Sequence, residues 1–141
     1  EAMDDSKFLN KIIDWAKTNI KKGPICVSTS ADVDGVKRAQ ELLGRDGAAA
    51  LADEILGKSA TALKDLGVRK FVVAGGETSG QFFKSLDIGQ VQVSSFDNLA
   101  GGYCHEASSD PMSIVTKAGG LGNEEFFFTA LERMRQADTQ I

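Results

Sequence analysis

The chain has 141 residues, of which 42% are hydrophobic and 26% are charged, and its formal net charge is −4. This length and composition predict one globular domain and exclude a disordered chain, a coiled coil and a collagen-like fibre. Its uncharged apolar stretches fall far short of the roughly 20 residues that a membrane span needs, so we expect no membrane contact.

The charge is unevenly distributed along the chain. Residues 71–141 carry four basic and nine acidic side chains, and such an acidic segment repels a polyphosphate backbone, which excludes nucleic acid as a partner. The two cysteines, Cys26 and Cys104, lack the spacing of a metal or redox motif, and Cys26 lies in an apolar run. We therefore expect a reducing, cytoplasmic location and a buried Cys26.

The first half of the chain is predicted to contain three helices and two strands. Apolar residues recur at helical spacing over residues 8–20, and the run from 24 to 29 predicts a strand. Residues 36–43 predict a short helix that ends at Gly44, and residues 51–66 predict a long helix that ends at Gly67. The continuous apolar run over 68–74 predicts a second strand that is buried on both faces.

Beyond Ala74 the chain is rich in glycine, with nine of its 15 glycines. Residues 77–86 predict a short helix, Val91 and Val93 a third strand, residues 96–111 a loop and residues 112–116 a fourth strand. Asn123 is predicted to cap a final helix. This order predicts an α/β fold, a single three-layer domain with a mostly parallel sheet of at least four strands and helices on both faces.

Two glycine-rich turns follow predicted strands, and the first precedes a helix directly. It comprises Gly75, Gly76, Glu77, Thr78, Ser79 and Gly80. The free backbone N–H groups and the dipole of a helix start form an anion site that suits phosphate, to which Thr78 and Ser79 would add hydroxyl donors. Glu77 either stabilises the helix start or acts through Mg²⁺ or a water. A P-loop is excluded because Gln81 and Phe82 replace its Lys and Ser/Thr.

The second turn, residues 117–122, repeats this pattern after the fourth strand. Lys117 is the cation built into it, and Gly119 and Gly120 are the candidate backbone contacts. Because ligands bind at the carboxyl ends of parallel strands, the two turns are predicted to hold a nucleotide, with phosphates on one and ribose or base along the other. Neither turn has the dinucleotide pattern G-x-G-x-x-G, and a purely geometric role of the glycines stays open.

Three consecutive phenylalanines occupy the final helix at residues 126–128. They cannot all face one core, so at least one ring is predicted to meet a partner domain, a second subunit or an adenine face. His105 beside Cys104 supplies too few ligands for a metal site, and no protein metal site is predicted.

The two turns resemble those of the four-carbon acid sugar kinases, the oxo-tetronate and threonate kinase-like proteins. Residues 75–80 match the signature G-G-E-T-S-G of that family, and residues 117–122 match its later K-S-G-N-F-G segment, with Gly120 and Leu121 in place of Asn and Phe. The resemblance places Gly76, Glu77, Thr78 and Ser79 on the ATP-phosphate loop and Gly119 at a second nucleotide contact.

The resemblance also implies an activity and a domain organisation. Residues 1–141 would form the C-terminal nucleotide-binding domain of a two-domain, ATP-dependent kinase that uses Mg²⁺, converts ATP to ADP and phosphorylates a hydroxyl of a small four-carbon sugar acid. The acid would bind to an N-terminal domain outside this sequence. The catalytic residues remain unknown, and a homo-oligomer stays open.

Two alternatives of other classes remain. The pattern G-x-T-x-G over residues 76–80 is close to the nucleophile elbow of a hydrolase, with Thr78 as nucleophile, His105 as base and Asp87 or Asp97 as the acid. The other is an interaction domain that has kept the kinase fold and lost catalysis, which the altered second motif and the three phenylalanines permit.

Overall fold

The structure is a computed structural model that describes residues 5–94 and 101–138, and the chain divides into two compact units, Glu1–Leu66 and Gly67–Ile141. The first unit contains helices α1 (Asp5–Asn19) and α2 (Val33–Asp65), which pack together. Asp32 caps α2, because its carboxylate accepts a hydrogen bond from the Gly35 N–H at 2.7 Å. Both predicted helices of this region lie within α2, and the predicted break at Gly44 is confirmed by its non-helical φ of 73° and ψ of 164°.

The prediction of a strand over residues 24–29 is wrong. This segment has no regular secondary structure, and Cys26 is exposed rather than buried. The physical reason is that an apolar run becomes a strand only where a neighbouring strand completes its backbone hydrogen bonds. The four strands that the structure describes all pair with one another in the second unit, so the run at 24–29 has no described strand as its partner.

The second unit is built on a four-stranded mixed sheet. Its elements are β1 (Lys70–Ala74), α3 (Gly76–Ser85), β2 (Gln92–Val93), β3 (Gly101–Glu106), β4 (Met112–Lys117) and α4 (Phe126–Asp138). The strand order is β1-β4-β3-β2; the β1–β4 pair is parallel, and the β4–β3 and β3–β2 pairs are antiparallel. The α/β class is confirmed, the mostly parallel sheet is wrong, and the three-layer arrangement stays a prediction.

The antiparallel part arises because β3 lies where a loop was predicted. The glycines at its start favoured a turn, but the strand pairs with β4 along its whole length, from Gly101 opposite Lys117 to Glu106 opposite Met112. Such pairing satisfies the backbone groups that a loop would expose to water. Residues 96–100 of the predicted loop lie outside the described residues.

The core of this unit lies between the sheet and α4. Its buried members are Val115, Phe126, Ala130 and Met134, with Val72, Tyr103 and Leu131 packed against them. The neighbouring residue Phe71 contacts α3 instead, with its ring centroid 5.2 Å from that of Phe82. Strand β1 is therefore packed against both helices of the unit.

Replacing Tyr103 by phenylalanine is expected to stabilise the protein by about 1 kcal/mol. Within the described residues its buried hydroxyl has no hydrogen-bond partner, and removing an unsatisfied buried polar group removes its desolvation cost. Urea denaturation at pH 7 measures the effect. A less stable variant would contradict the prediction.

The same substitution has a consequence at alkaline pH. Burial raises the pKa of Tyr103 above its usual value near 10, so the unfolded chain loses this proton at lower pH than the folded chain does. The stability that is linked to the protonated Tyr103 hydroxyl is fully present below pH 10. It is lost as the pH rises from 10 through the folded-state pKa. The advantage of Tyr103→Phe is therefore expected to grow above pH 10.

The two cysteines are expected to react with a thiol reagent at different rates. Cys26 is exposed, whereas the Cys104 thiol is partly buried and lies 3.5 Å from the Ile114 carbonyl oxygen, and burial raises the pKa of Cys104. Since the thiolate is the reactive form, Cys26 should give the fast phase with Ellman's reagent at pH 8. Cys26→Ser should remove that phase alone, and loss of the slow phase instead would contradict this assignment.

Candidate functional site

The two predicted glycine turns begin side by side. Strands β1 and β4 are the parallel pair, and their last residues, Ala74 and Lys117, are in register. Directly beyond them the Gly75 N–H donates a hydrogen bond to the Lys117 carbonyl oxygen at 2.9 Å. The structure thus brings the start of both candidate segments to one edge of the sheet, at the carboxyl ends of its parallel strands, where ligands of such sheets bind.

The first turn leads straight into α3 without a side-chain cap. Gly75 is the N-cap, with a φ of 111°. No side chain at this position accepts a capping hydrogen bond from the helix. Its carbonyl oxygen accepts both the Ser79 N–H at 2.9 Å and the Ser79 hydroxyl at 2.7 Å. The N–H groups of Gly76 and Glu77 come before this first helical hydrogen bond. They therefore lie at the start of the helix, which is the positive end of its dipole, and have no carbonyl partner within the helix.

Two of the predicted residues have local structural roles. A Cβ at Gly75 would lie 3.1 Å from the Thr78 hydroxyl oxygen, and its positive φ also favours glycine. The Ser79 hydroxyl donates to Gly75, so it is not a free donor for a phosphate, although its oxygen can still accept a hydrogen bond. The predicted role of Ser79 as a donor to the ligand therefore competes with its role in the turn.

The remaining surface of the first turn is open. Gly76, Glu77 and Gly80 are exposed, and apart from the backbone of α3 itself a Cβ built on Gly76 or on Gly80 would meet no atom of the described residues within 4 Å. A group that binds the exposed amides can thus approach the backbone at Gly76 closely. A phosphate binds favourably where backbone N–H groups at a helix start are uncapped and accessible. The ten-residue helix α3 provides such a start.

The second turn is organised around the side chain of Lys117. Its ammonium group donates to the carbonyl oxygens of Ala118 and Gly119, both at 2.9 Å, and lies 5.7 Å from the centroid of the Phe126 ring. Gly119 and Gly120 are exposed, and a Cβ at either would meet open space. Lys117 therefore places its positive charge at this turn and stabilises the fold of the turn at the same time.

Sequence reasoning missed the contribution of Gly122. This residue has a φ of 89°, and a Cβ on it would lie 3.1 Å from Phe126 and 3.3 Å from Lys117. Gly122 thus allows the turn to close over the Phe126 ring. The one available signal was that a third glycine follows Gly119 and Gly120, which does not by itself reveal a contact.

The three phenylalanines separate as predicted. Phe126 is fully buried, whereas Phe127 is 42% and Phe128 is 71% exposed. Helix α4 begins at Phe126 rather than directly after Asn123; the Phe126 N–H donates to the Asn123 carbonyl oxygen at 3.1 Å, in a turn ahead of the helix. Two rings therefore lie exposed in the first turn of α4, next to the second glycine turn.

The acidic residues set limits on metal binding. In the described parts of the chain, no three His, Cys, Asp or Glu side chains lie close enough together to hold a metal ion. Mg²⁺ that is bound mainly through substrate phosphates and waters needs only one or two carboxylates. Glu77, exposed in the first turn of α3, fits that requirement.

The geometry does not assemble the hydrolase triad. Thr78 is in the first turn of α3 and Asp87 follows its C-terminal end, about 13 Å away at the helical rise of 1.5 Å per residue. His105 lies opposite Ser113, about 13 Å along β4 from Lys117 at the rise of a strand. Asp97 lies outside the described residues.

Comparison with known families identifies the family of the domain. Residues 1–127 match the family model described as "Nucleotide-binding C-terminal domain". The chain belongs to this family. The resemblance to the C-terminal domain of the four-carbon acid sugar kinases is thereby confirmed, because curated relatives of this nucleotide-binding C-terminal domain carry the name 3-oxo-tetronate kinase.

Two of these relatives show how much of their length the chain covers. The protein from Pseudomonas fluorescens is 34% identical over 114 residues, which cover 81% of this chain and 26% of the relative. The protein from Burkholderia multivorans is 31% identical over 126 residues, which cover 89% of this chain and 29% of the relative. The chain thus spans less than a third of the length of these relatives.

Solved structures share the fold of the domain. A crystal structure of a Haemophilus influenzae protein has a TM-score of 0.75 and 25% identity, covering 89% of this chain and 30% of that protein. A Salmonella typhimurium LT2 protein has the same TM-score at 22% identity, covering 92% and 31%. Across the described residues of the domain, no helix has both the length and the apolar character needed to cross a membrane.

Proposed function

We propose that this domain binds ATP as the nucleotide-binding part of a kinase that phosphorylates a hydroxyl of a four-carbon sugar acid. The observation that carries the proposal is the pairing of the two glycine turns at one sheet edge, linked by the Gly75 N–H to Lys117 carbonyl bond. The names of the relatives, 3-oxo-tetronate kinases, support the reaction class and the substrate class.

In this proposal the first turn binds the phosphates. The exposed N–H groups of Gly76 and Glu77 donate to phosphate oxygens, and the dipole of α3 stabilises their negative charge. The second turn, with Gly119 and Gly120, lies along the ribose or base, and Lys117 contributes its charge at the boundary between the turns. Backbone donors of this kind fix the nucleotide without any movement of side chains.

Glu77 is the residue proposed to hold Mg²⁺, together with phosphate oxygens and waters. The ion would neutralise charge on the phosphates, and phosphoryl transfer depends mainly on such neutralisation and on positioning. The acceptor hydroxyl belongs to a sugar acid that we place on an N-terminal domain of the longer protein. Closure of the two domains would exclude water and align the γ-phosphate with the hydroxyl.

Calorimetric titration of this chain with ATP and ADP, each with and without Mg²⁺, tests the proposal. We expect dissociation constants in the micromolar to millimolar range and tighter binding with Mg²⁺ present. Equilibrium dialysis with labelled ATP provides an independent measurement in case the binding heat is small. Absence of ATP binding in both measurements would contradict the proposal.

An interaction domain without catalysis is the second candidate. It is favoured by the two exposed phenylalanines of α4, Phe127 and Phe128, because exposed aromatic rings are common at protein interfaces. It predicts that the chain binds neither ATP nor ADP, so the same titration distinguishes the two candidates.

A further inference from the structure

One exposed aromatic ring near the glycine turns has a fixed orientation. The Phe127 ring meets the buried Phe126 ring edge to face, with centroids 6.1 Å apart and an interplanar angle of 85°. Phe127 nevertheless keeps 42% of its surface exposed. An aromatic ring that is held on one side and open on the other is prepared to stack against a flat ligand at little entropic cost.

This ring is connected to the proposed phosphate site by a short series of contacts. The Gly75 N–H lies 2.9 Å from the Lys117 carbonyl oxygen, the Lys117 ammonium lies 5.7 Å from the Phe126 centroid, and Phe126 contacts Phe127. Between the first two contacts, the series runs along Lys117 itself, from its carbonyl oxygen to its ammonium group. A ligand with a phosphate group on the first turn and a planar group several bonds away matches that arrangement.

We propose that Phe127 is the surface on which the purine base of the bound nucleotide stacks, which makes it a determinant of affinity for nucleotides over simple polyphosphates. The proposal builds on the ATP-binding function above. The occupant is a purine base rather than a protein side chain, because Phe127 adjoins the turn that Lys117 and Phe126 organise. Phe128 is more exposed, and among the described residues no ring contact orients it.

The test compares a nucleotide with its phosphate chain alone. Dissociation constants for ATP and for tripolyphosphate are measured with the wild-type chain, Phe127→Ala, Phe127→Leu, Phe127→Tyr and the control Phe128→Ala. Loss of base stacking should weaken ATP binding by about tenfold in Phe127→Ala and in Phe127→Leu. Tripolyphosphate binding should stay within twofold in every variant, and Phe127→Tyr and Phe128→Ala should bind ATP like the wild type.

Phe127→Leu keeps an apolar side chain in the contact with Phe126, so it separates stacking from packing if Phe127→Ala unfolds. Equal ATP affinity in the wild type and Phe127→Leu would overturn the stacking proposal and leave the ATP site standing. An equal loss of affinity for ATP and for tripolyphosphate would also overturn it. A change in molecular mass on gel filtration without a change in ATP affinity would overturn it too, and would assign the ring to a subunit contact. Absence of ATP binding in the wild type would overturn both proposals.

Discussion

Replacing Gly76 by valine is expected to weaken ATP binding by at least about tenfold while the protein stays folded. The first amides of α3 are proposed to donate to phosphate, and each hydrogen bond to a charged group contributes about 1.5–3 kcal/mol. Outside the backbone of α3, a Cβ on Gly76 meets no atom of the described residues within 4 Å, so the isopropyl group would occupy the space of the ligand and not that of the protein.

Gly89→Val is the matched control for this substitution. Gly89 is also exposed, a Cβ there meets no atom within 4 Å in the described part of the chain beyond its neighbours in sequence, and its φ is not positive. Because it follows the C-terminal end of α3, the control variant should bind ATP like the wild type. Calorimetry on the three proteins measures the effect, with circular dichroism to compare their folds. Gly76→Val with wild-type affinity would show that phosphate does not bind at the start of α3.

Replacing Phe126 by alanine is expected to reduce the free energy of unfolding by about 3–5 kcal/mol. Phe126 is fully buried and packs with Val115, Ala130 and Met134 in the core of the second unit. Its ring also lies beneath the Lys117 ammonium and against Gly122. The substitution therefore leaves a cavity under the second turn and removes the ring around which that turn closes.

Phe128→Ala distinguishes burial from residue type, because it removes the same side chain from the exposed side of the same helix. Its effect should stay within about 0.5 kcal/mol, as for surface positions generally. Urea denaturation followed by circular dichroism measures both variants. A similar change in stability for Phe126→Ala and Phe128→Ala would show that Phe126 does not occupy the core position described above.

The local elements of the second unit were accessible from the sequence because each has its own periodicity and end signals. The strand before Gly75, the helix after it and the strand that ends at Lys117 were all predicted near their observed bounds. Their strand partners were not accessible, because pairing depends on residues distant in the chain. For that reason the sequence predicts a loop where the two glycines begin β3, and a strand at 24–29 where the structure has no regular secondary structure.

The two glycine turns, the helix start after the first and the family that they indicate were predictable, since these depend on residues adjacent in the chain. Packing between distant segments decides that both turns follow one parallel strand pair and are joined by the Gly75–Lys117 hydrogen bond. The same packing decides that the Lys117 ammonium binds the carbonyl oxygens of Ala118 and Gly119 and that Phe126 is buried while Phe127 stays exposed. Register and burial are set by packing between distant segments, which no local pattern encodes.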